Sequence, residues 1–137
     1  MVGEPAVYVV EGVAVPNSLD LLHDLMDRVG VDHPDVQNED LSMLETAVIE
    51  IAGNLIEHGR PSGCVDYRLR LDVLSDRLEG LLADSGEPLP ITVLDGSAPD
   101  PLSEDGRGIL IAQAVLDELV YERTEHANTW RMVRRRR

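Results

Sequence analysis

The sequence contains no lysine: all 12 basic residues among its 137 are arginine. That absence excludes a Walker A loop, the strand lysine of protein kinases and Schiff-base chemistry. Any phosphate bound here must be held by backbone amides, arginine or a metal ion. Phenylalanine is also absent, and aromatics make up 3% of the chain against 43% hydrophobic residues, so the core must be aliphatic. The single cysteine, Cys64, rules out an intrachain disulfide and is compatible with a reducing compartment. His23, His33, His58 and His126 lack metal-ligand spacing and have no CxxC beside them, which argues against a zinc site. No apolar run approaches the roughly 18 residues of a membrane-crossing helix. The N-terminal stretch has no basic region and is interrupted by Glu4 and Glu11, so a soluble, untargeted, cytoplasmic protein is expected.

Positive charge is scarce as well. The formal charge is −14, and removing the four arginines at 134–137 takes it to −18. Nucleic acids and anionic membranes both require a positive footprint, so neither is expected as a direct partner. The Arg134–Arg137 run reads as a solvated end with no assigned function.

What the chain does have is one domain's length, enough to bury a core, and clear periodicities. Ala6–Val15 is β-rich and ends at Pro16-Asn17. Ser18 is a suitable N-cap for a helix from Leu19 to about Val29, buried through Leu21, Leu22, Leu25, Met26 and Val29 and stopped by Gly30. The His23-Asp24 pair in this helix resembles a phosphoaccepting histidine only faintly, and the chain has no room for the long helical hairpin that carries one.

Asn38, followed by Glu39 and Asp40, caps a central helix that ends at His58-Gly59. Leu41, Leu44, Val48, Ile51 and Leu55 recur every three or four residues and form its buried stripe. Glu50, Asn54 and His58 recur every four residues and form a polar stripe beside it. A carboxylate and a carboxamide one turn apart can serve as base and metal ligand, although most such stripes are solvated flanks.

Cys64–Val73 alternates as a half-exposed strand, and Arg77–Ala83 is its hairpin partner. Asp84-Ser85-Gly86-Glu87-Pro88 follows at once. Leu89–Asp105 then runs for about seventeen residues with Pro90, Gly96, Pro99 and Pro101 and no periodicity, a length unusual for a compact domain and typical of lids and binding loops. Asp105-Gly106-Arg107-Gly108 opens a helix expected over Ile109 to about Leu119. Two closing strands, near Leu119–Arg123 and Thr129–Arg134, are joined by a polar turn.

Each motif alone is common, but their order is specific: Glu50-x-x-x-Asn54 on a helix, Asp84-x-Gly86-x-Pro88 after a strand, a breaker-rich segment, then Gly106-x-Gly108 into a helix. This sequence of boxes resembles the GHKL superfamily of ATP-binding domains, which includes gyrase, Hsp90, MutL and histidine kinases. Within it, AVIEIAGNLIEHG and the closing Asn128-Thr129-Trp130-Arg131-Met132 are most similar to the anti-sigma-factor serine kinases.

The resemblance implies a two-layer α/β sandwich: a mixed, mainly antiparallel sheet with three helices on one face, as a single domain over 1–137 with a lid at about 87–105. It implies that Asp84 accepts a hydrogen bond from the adenine amino group, with Gly86 admitting the base and Thr129 supporting Asp84 directly or through water. Asn54 would ligate Mg²⁺, His58 would contribute to the nucleotide site, and Gly106, Arg107 and Gly108 would offer amides to the ATP phosphates. Glu50 would deprotonate a protein serine. The implied partners are a STAS-domain anti-anti-sigma protein, a sigma factor and a second copy of the chain as a homodimer. An ATP-dependent adaptor without kinase activity is the alternative. The family's partner-binding arginine on the first helix has no counterpart in Leu21-Leu22-His23-Asp24.

Overall fold

The computed structural model describes residues 5–58, 65–88 and 104–137, without the side chains of 57, 58 and 104–106. The chain runs β1 (Ala6–Val13), α1 (Ser18–Asp32), α2 (Asn38–His58), β2 (Asp66–Val73), β3 (Arg77–Asp84), α3 (Glu104–Val115), β4 (Glu118–Arg123) and β5 (Asn128–Arg135). The strands form one sheet in the order β1-β2-β3-β5-β4. Every ladder among the described residues is antiparallel, so the parallel pairing that a mixed sheet requires is not found there. The last strand in sequence is an inner strand, held between β3 and β4.

Alternation sets which face each strand buries. Tyr67, Leu69, Leu71 and Val73 of β2, Leu78 and Leu82 of β3, and Trp130 and Met132 of β5 are buried. They share one side of the sheet because the register pairs Leu69 with Leu82, Leu82 with Trp130 and Gly80 with Met132. The helices lie on that side. Central α2 packs on both α1 and α3 and reaches β3 and β5. Its buried Leu44, Val48, Ile51 and Leu55 meet Leu22, Met26 and Val29 of α1 and Ile109 and Ala112 of α3 in one aliphatic core.

The opposite face of the sheet is charged. Arg70 pairs with Asp72 at 2.8 Å, and Glu79 accepts from both Arg77 and Arg131 at 2.9 Å. Those two guanidinium groups hold the Glu79 carboxyl below the usual carboxylate range, the hydrogen bond from Arg77 being the largest cause. Exposed pairs of this kind contribute little to stability.

Helix α1 begins one residue earlier than expected and continues three residues past Val29. Ser18 is not its N-cap. Asn17 occupies that position without a side-chain hydrogen bond, whereas the buried Ser18 Oγ accepts from Val15 N at 3.1 Å and donates to Val13 O at 3.2 Å. His23 is hydrogen-bonded through Nδ1 to Glu45 Oε1 on α2. That contact raises the imidazole pKa and makes His23 a bridge between the two helices.

The arginine run is solvated only in part: Arg135 and Arg137 are exposed, but the run is anchored. Arg134 is buried, and its Nε donates to Asp40 Oδ1 at 3.1 Å while Nη1 donates to the Val115 carbonyl at 3.1 Å. Asp40, 0% exposed, also accepts from the Arg137 backbone N–H at 2.9 Å. Arg136 donates to the Leu74 carbonyl at 2.9 Å and to Asp35 Oδ2 at 2.8 Å. A buried carboxylate in the first turn of α2 needs a cation, and the end of β5 supplies it. The start of α2, the end of α3 and β5 are thereby tied at one point.

Candidate functional site

Two clusters of polar groups stand out on the helix-facing side. The first lies between α2 and α3. Helical spacing places Glu50 and Asn54 one turn apart on α2, and both face α3 at Gly108. A Cβ at Gly108 would come within 2.9 Å of Glu50 Oε2 and 3.6 Å of both amide atoms of Asn54. Glycine at 108 is therefore what allows the carboxylate and the amide to share that face. Asn54 is 8% exposed, and among the described residues its Nδ2 has no hydrogen-bond partner. A buried amide donor with no partner among the described residues costs free energy and suits an acceptor such as a bound ligand's oxygen.

The start of α3 differs from expectation. The helix begins at Glu104 rather than Ile109, so Gly106, Arg107 and Gly108 lie inside it. Acidic Glu104 and Asp105 at the positive end of the helix dipole favour this earlier start. Only the first four N–H groups of a helix, counted from its cap residue, lack intrahelical partners, which leaves the Gly106 amide last in the open turn and places Arg107 and Gly108 beyond it. Gly108 thus contributes a bare surface more than a donor. The Arg107 side chain is exposed and has no polar partner among the described residues.

The second cluster lies at the end of β3. Asp84 is 4% exposed, and its Oδ1 accepts from Gly86 N at 2.8 Å in a local Asx turn. The same Oδ1 accepts from Asn128 Nδ2 at 3.0 Å. Asn128 Nδ2 also lies 3.3 Å from the Gly86 carbonyl and 2.9 Å from that of Glu87. Arg123 Nη1 donates to the Gly86 carbonyl at 2.7 Å. Ser85 is fastened to β2 through its backbone N–H to Asp66 O at 3.0 Å and through Oγ, which accepts from Asp66 N at 2.9 Å.

Asn128 was not among the residues singled out from sequence; Thr129 was. The register pairs Asn128 with Asp84 and Thr129 with Ala83, so Thr129 projects from the opposite face of β5 and Asn128 occupies the place beside Asp84. The signal was available in the strand's own alternation. Trp130 and Met132 are core residues, and the same parity puts position 128 on the core side.

The structure brings Glu50, Asn54 and Gly108 into one cluster and Asp84, Gly86 and Asn128 into another. Among the described residues no hydrogen bond joins the two. The His58 side chain, the Gly106 environment and the expected lid at 89–103 lie outside the described residues.

The donor set fits an oxygen-rich anion carrying a hard cation. The unmet Asn54 Nδ2 is a donor that an anion's oxygen would satisfy, which leaves only the amide oxygen as a cation ligand, and no group of three or more His, Cys, Asp or Glu suited to a metal occurs among the described residues. Mg²⁺ held by one protein oxygen plus phosphate and water needs no such group.

One cluster thus lies between two helices and the other at the end of a strand, on the helix-facing side of a two-layer α/β sandwich. Residues 13–134 match the histidine kinase-like ATPase domain family, and the chain belongs to that family. No curated protein sequence matches the chain.

Solved structures share the fold at low identity. The RsbU and RsbW domains of Rv1364c from Mycobacterium tuberculosis align with a TM-score of 0.68 and 14% identity, over 96% of this chain and 33% of that one. The present chain thus spans about a third of that protein's length. The histidine kinase domain of the blue-light-activated kinase of Erythrobacter litoralis aligns with a TM-score of 0.57 and 17% identity, over 85% and 59% of the two chains. The catalytic domain of the histidine kinase ThkA aligns with a TM-score of 0.56 and 10% identity, over 94% and 96%. Among the described residues no helix is long and apolar enough to cross a membrane.

Proposed function

We propose that this protein is an ATP-dependent protein serine kinase that also acts as an anti-sigma factor, phosphorylating a STAS-domain anti-anti-sigma protein and otherwise sequestering a sigma factor. The observation that carries the reading is the convergence of Glu50 Oε2 and the unmet Asn54 amide on the Cβ-free face of Gly108. A base and a polar anchor within one turn suit transfer of a phosphoryl group to a hydroxyl that docks beside them. The RsbW domain in one similar structure and the acidic composition, suited to a basic partner, support the choice of partners.

In this reading Asp84 binds the adenine amino group, and Gly86 lets the base approach the backbone. Asn54 holds Mg²⁺ through its amide oxygen, and the open N–H groups at the start of α3 receive phosphate oxygens. Mg²⁺, when bound, neutralises phosphate charge, a role that lysine fills in other nucleotide sites and that this chain cannot assign to lysine. Glu50 takes the proton from the acceptor serine as its Oγ bonds to the γ-phosphorus and the bond from that phosphorus to the ADP oxygen breaks.

The test is phosphate transfer from labelled ATP to STAS-domain proteins encoded nearby, with wild type and Glu50→Gln compared. Glu50→Gln keeps size and helix propensity but removes the proton acceptor, so transfer should fall about 10²–10⁴-fold while ATP affinity changes little. Transfer at the wild-type rate by the variant would remove Glu50 from the chemistry. A wild-type protein that binds a partner tightly with ATP yet phosphorylates none would be an adaptor.

A further inference from the structure

We propose that Asn128, oriented by Tyr121, is a specificity-determining residue that makes the site select 6-aminopurine over 6-oxopurine nucleotides. The inference rests on the reading of Asp84 as the acceptor for the adenine amino group. It concerns how a symmetrical carboxylate is made to present one oxygen in one direction.

The Asn128 amide has only one orientation consistent with its surroundings. One end faces three acceptors: Asp84 Oδ1 at 3.0 Å, the Glu87 carbonyl at 2.9 Å and the Gly86 carbonyl at 3.3 Å. Only an NH₂ group fits there. Oδ1 must then be the end that meets the Tyr121 hydroxyl, and Tyr121 is the donor in that bond. The Tyr121 ring is itself set against Trp130, with centroids 4.7 Å apart. Reversing the amide would set its oxygen against one carboxylate and two carbonyls.

The consequence falls on Asp84. Its Oδ1 is committed to two donors, Gly86 N and Asn128 Nδ2. Among the described residues Oδ2 has no hydrogen-bond partner. The carboxylate cannot rotate without breaking a charge-assisted bond, so it offers a single acceptor. An acceptor-only oxygen attracts the 6-amino group of adenine and repels the 6-oxo group of hypoxanthine or guanine. Asn128 also holds the Glu87 carbonyl, and Arg123 the Gly86 carbonyl, so the turn that carries Gly86 is fixed by the same strands.

The test measures ATP and inosine triphosphate binding with Mg²⁺ by calorimetry, on wild type, Asn128→Ala and Tyr121→Phe, with melting temperatures recorded for each. Wild type should prefer ATP by tenfold or more. Asn128→Ala should weaken ATP about tenfold and inosine triphosphate less than twofold, because the freed carboxylate can turn to the N1–H of the oxopurine as well. Tyr121→Phe removes only the hydroxyl and should narrow the preference by about threefold; it decides the matter if Asn128→Ala does not fold. Folded variants that weaken both nucleotides equally, or leave the ratio unchanged, overturn the role of Asn128 and leave Asp84 in place. A wild type that binds no ATP, or binds both nucleotides alike, overturns the reading of Asp84 and this inference with it.

Discussion

Helix α2 carries a buried polar side chain near each end, and the two are treated in opposite ways. Asp40, in the first turn, accepts from Arg134 and from the Arg137 backbone, so both carboxylate oxygens are bonded. Asn54, 14 residues and roughly 21 Å further along the helix, has an amide nitrogen with no partner among the described residues. Both side chains are buried, Asp40 fully and Asn54 to 8% exposure. The chain spends an entire arginine on the first and leaves the second unmet. A fully bonded buried ion sets how elements are arranged, whereas an unmet buried donor is a cost that a bound ligand can remove.

The strongest way to break this contrast is at the bonded end. Asp40→Ala leaves the Arg134 guanidinium buried without its anion and should destabilise the fold by about 3–5 kcal/mol, measured as a lowered urea midpoint. ATP affinity of the fraction that remains folded should be unchanged. If instead the midpoint hardly moves, the Arg134 cluster does not hold the three elements together.

At the other end the sign reverses. Asn54→Leu removes the unmet amide and should stabilise the ligand-free protein by about 1 kcal/mol while abolishing Mg²⁺-dependent ATP binding. A loss of stability there would mean that the amide has a structural role in the isolated chain.

A subtler probe is Gly108→Ala. Alanine is the better helix former by about 1 kcal/mol, but its methyl would sit 2.9 Å from Glu50 Oε2. The two effects should nearly cancel in stability, within about 0.5 kcal/mol, while displacement of Glu50 lowers phosphate transfer. Unaltered transfer by a stable Gly108→Ala protein would separate Glu50 from that glycine's face.

The smallest effect expected is in acid. Asp117 is held below the usual carboxylate range, first by the hydrogen bond from the Arg135 backbone N–H and next by the Arg137 guanidinium. A depressed carboxyl pKa adds stability above its ordinary value of 3.8 that disappears as the pH falls through the lower, folded-state value. Asp117→Asn should therefore flatten the dependence of the urea midpoint on pH in the acid range below 3.8.

The legible parts of the chain were those where one rule governs many residues. The stripe from Leu41 to Leu55 and the caps around it located α2 at Asn38–His58, and strict alternation located the β2–β3 hairpin within two residues. The order of the three boxes led to the superfamily that the match over 13–134 shows. The illegible parts turn on pairing between distant residues. Gly106 and Gly108 were read as breakers before a helix, yet α3 starts ahead of them and needs Gly108 for its close approach to α2. Four consecutive arginines looked solvated because nothing near them in sequence shows that Asp40 is buried without another cation. Asn128, next to a polar turn, drew less notice than Thr129 until the β3–β5 register placed it against Asp84.

The 94 residues that separate Asp40 from Arg134 also set a delay during synthesis. At about 5–20 residues per second, roughly 5–19 s pass between the making of the acid and the making of its counterion. Through that interval α2 can form, but Asp40 must stay hydrated, and β3 lacks the neighbour that later separates it from β4. The nascent chain therefore holds an open strand edge and an unburied acid at the same time. Its cooperative closure is postponed until the last strand inserts, which is the stage at which a chaperone would have something to hold.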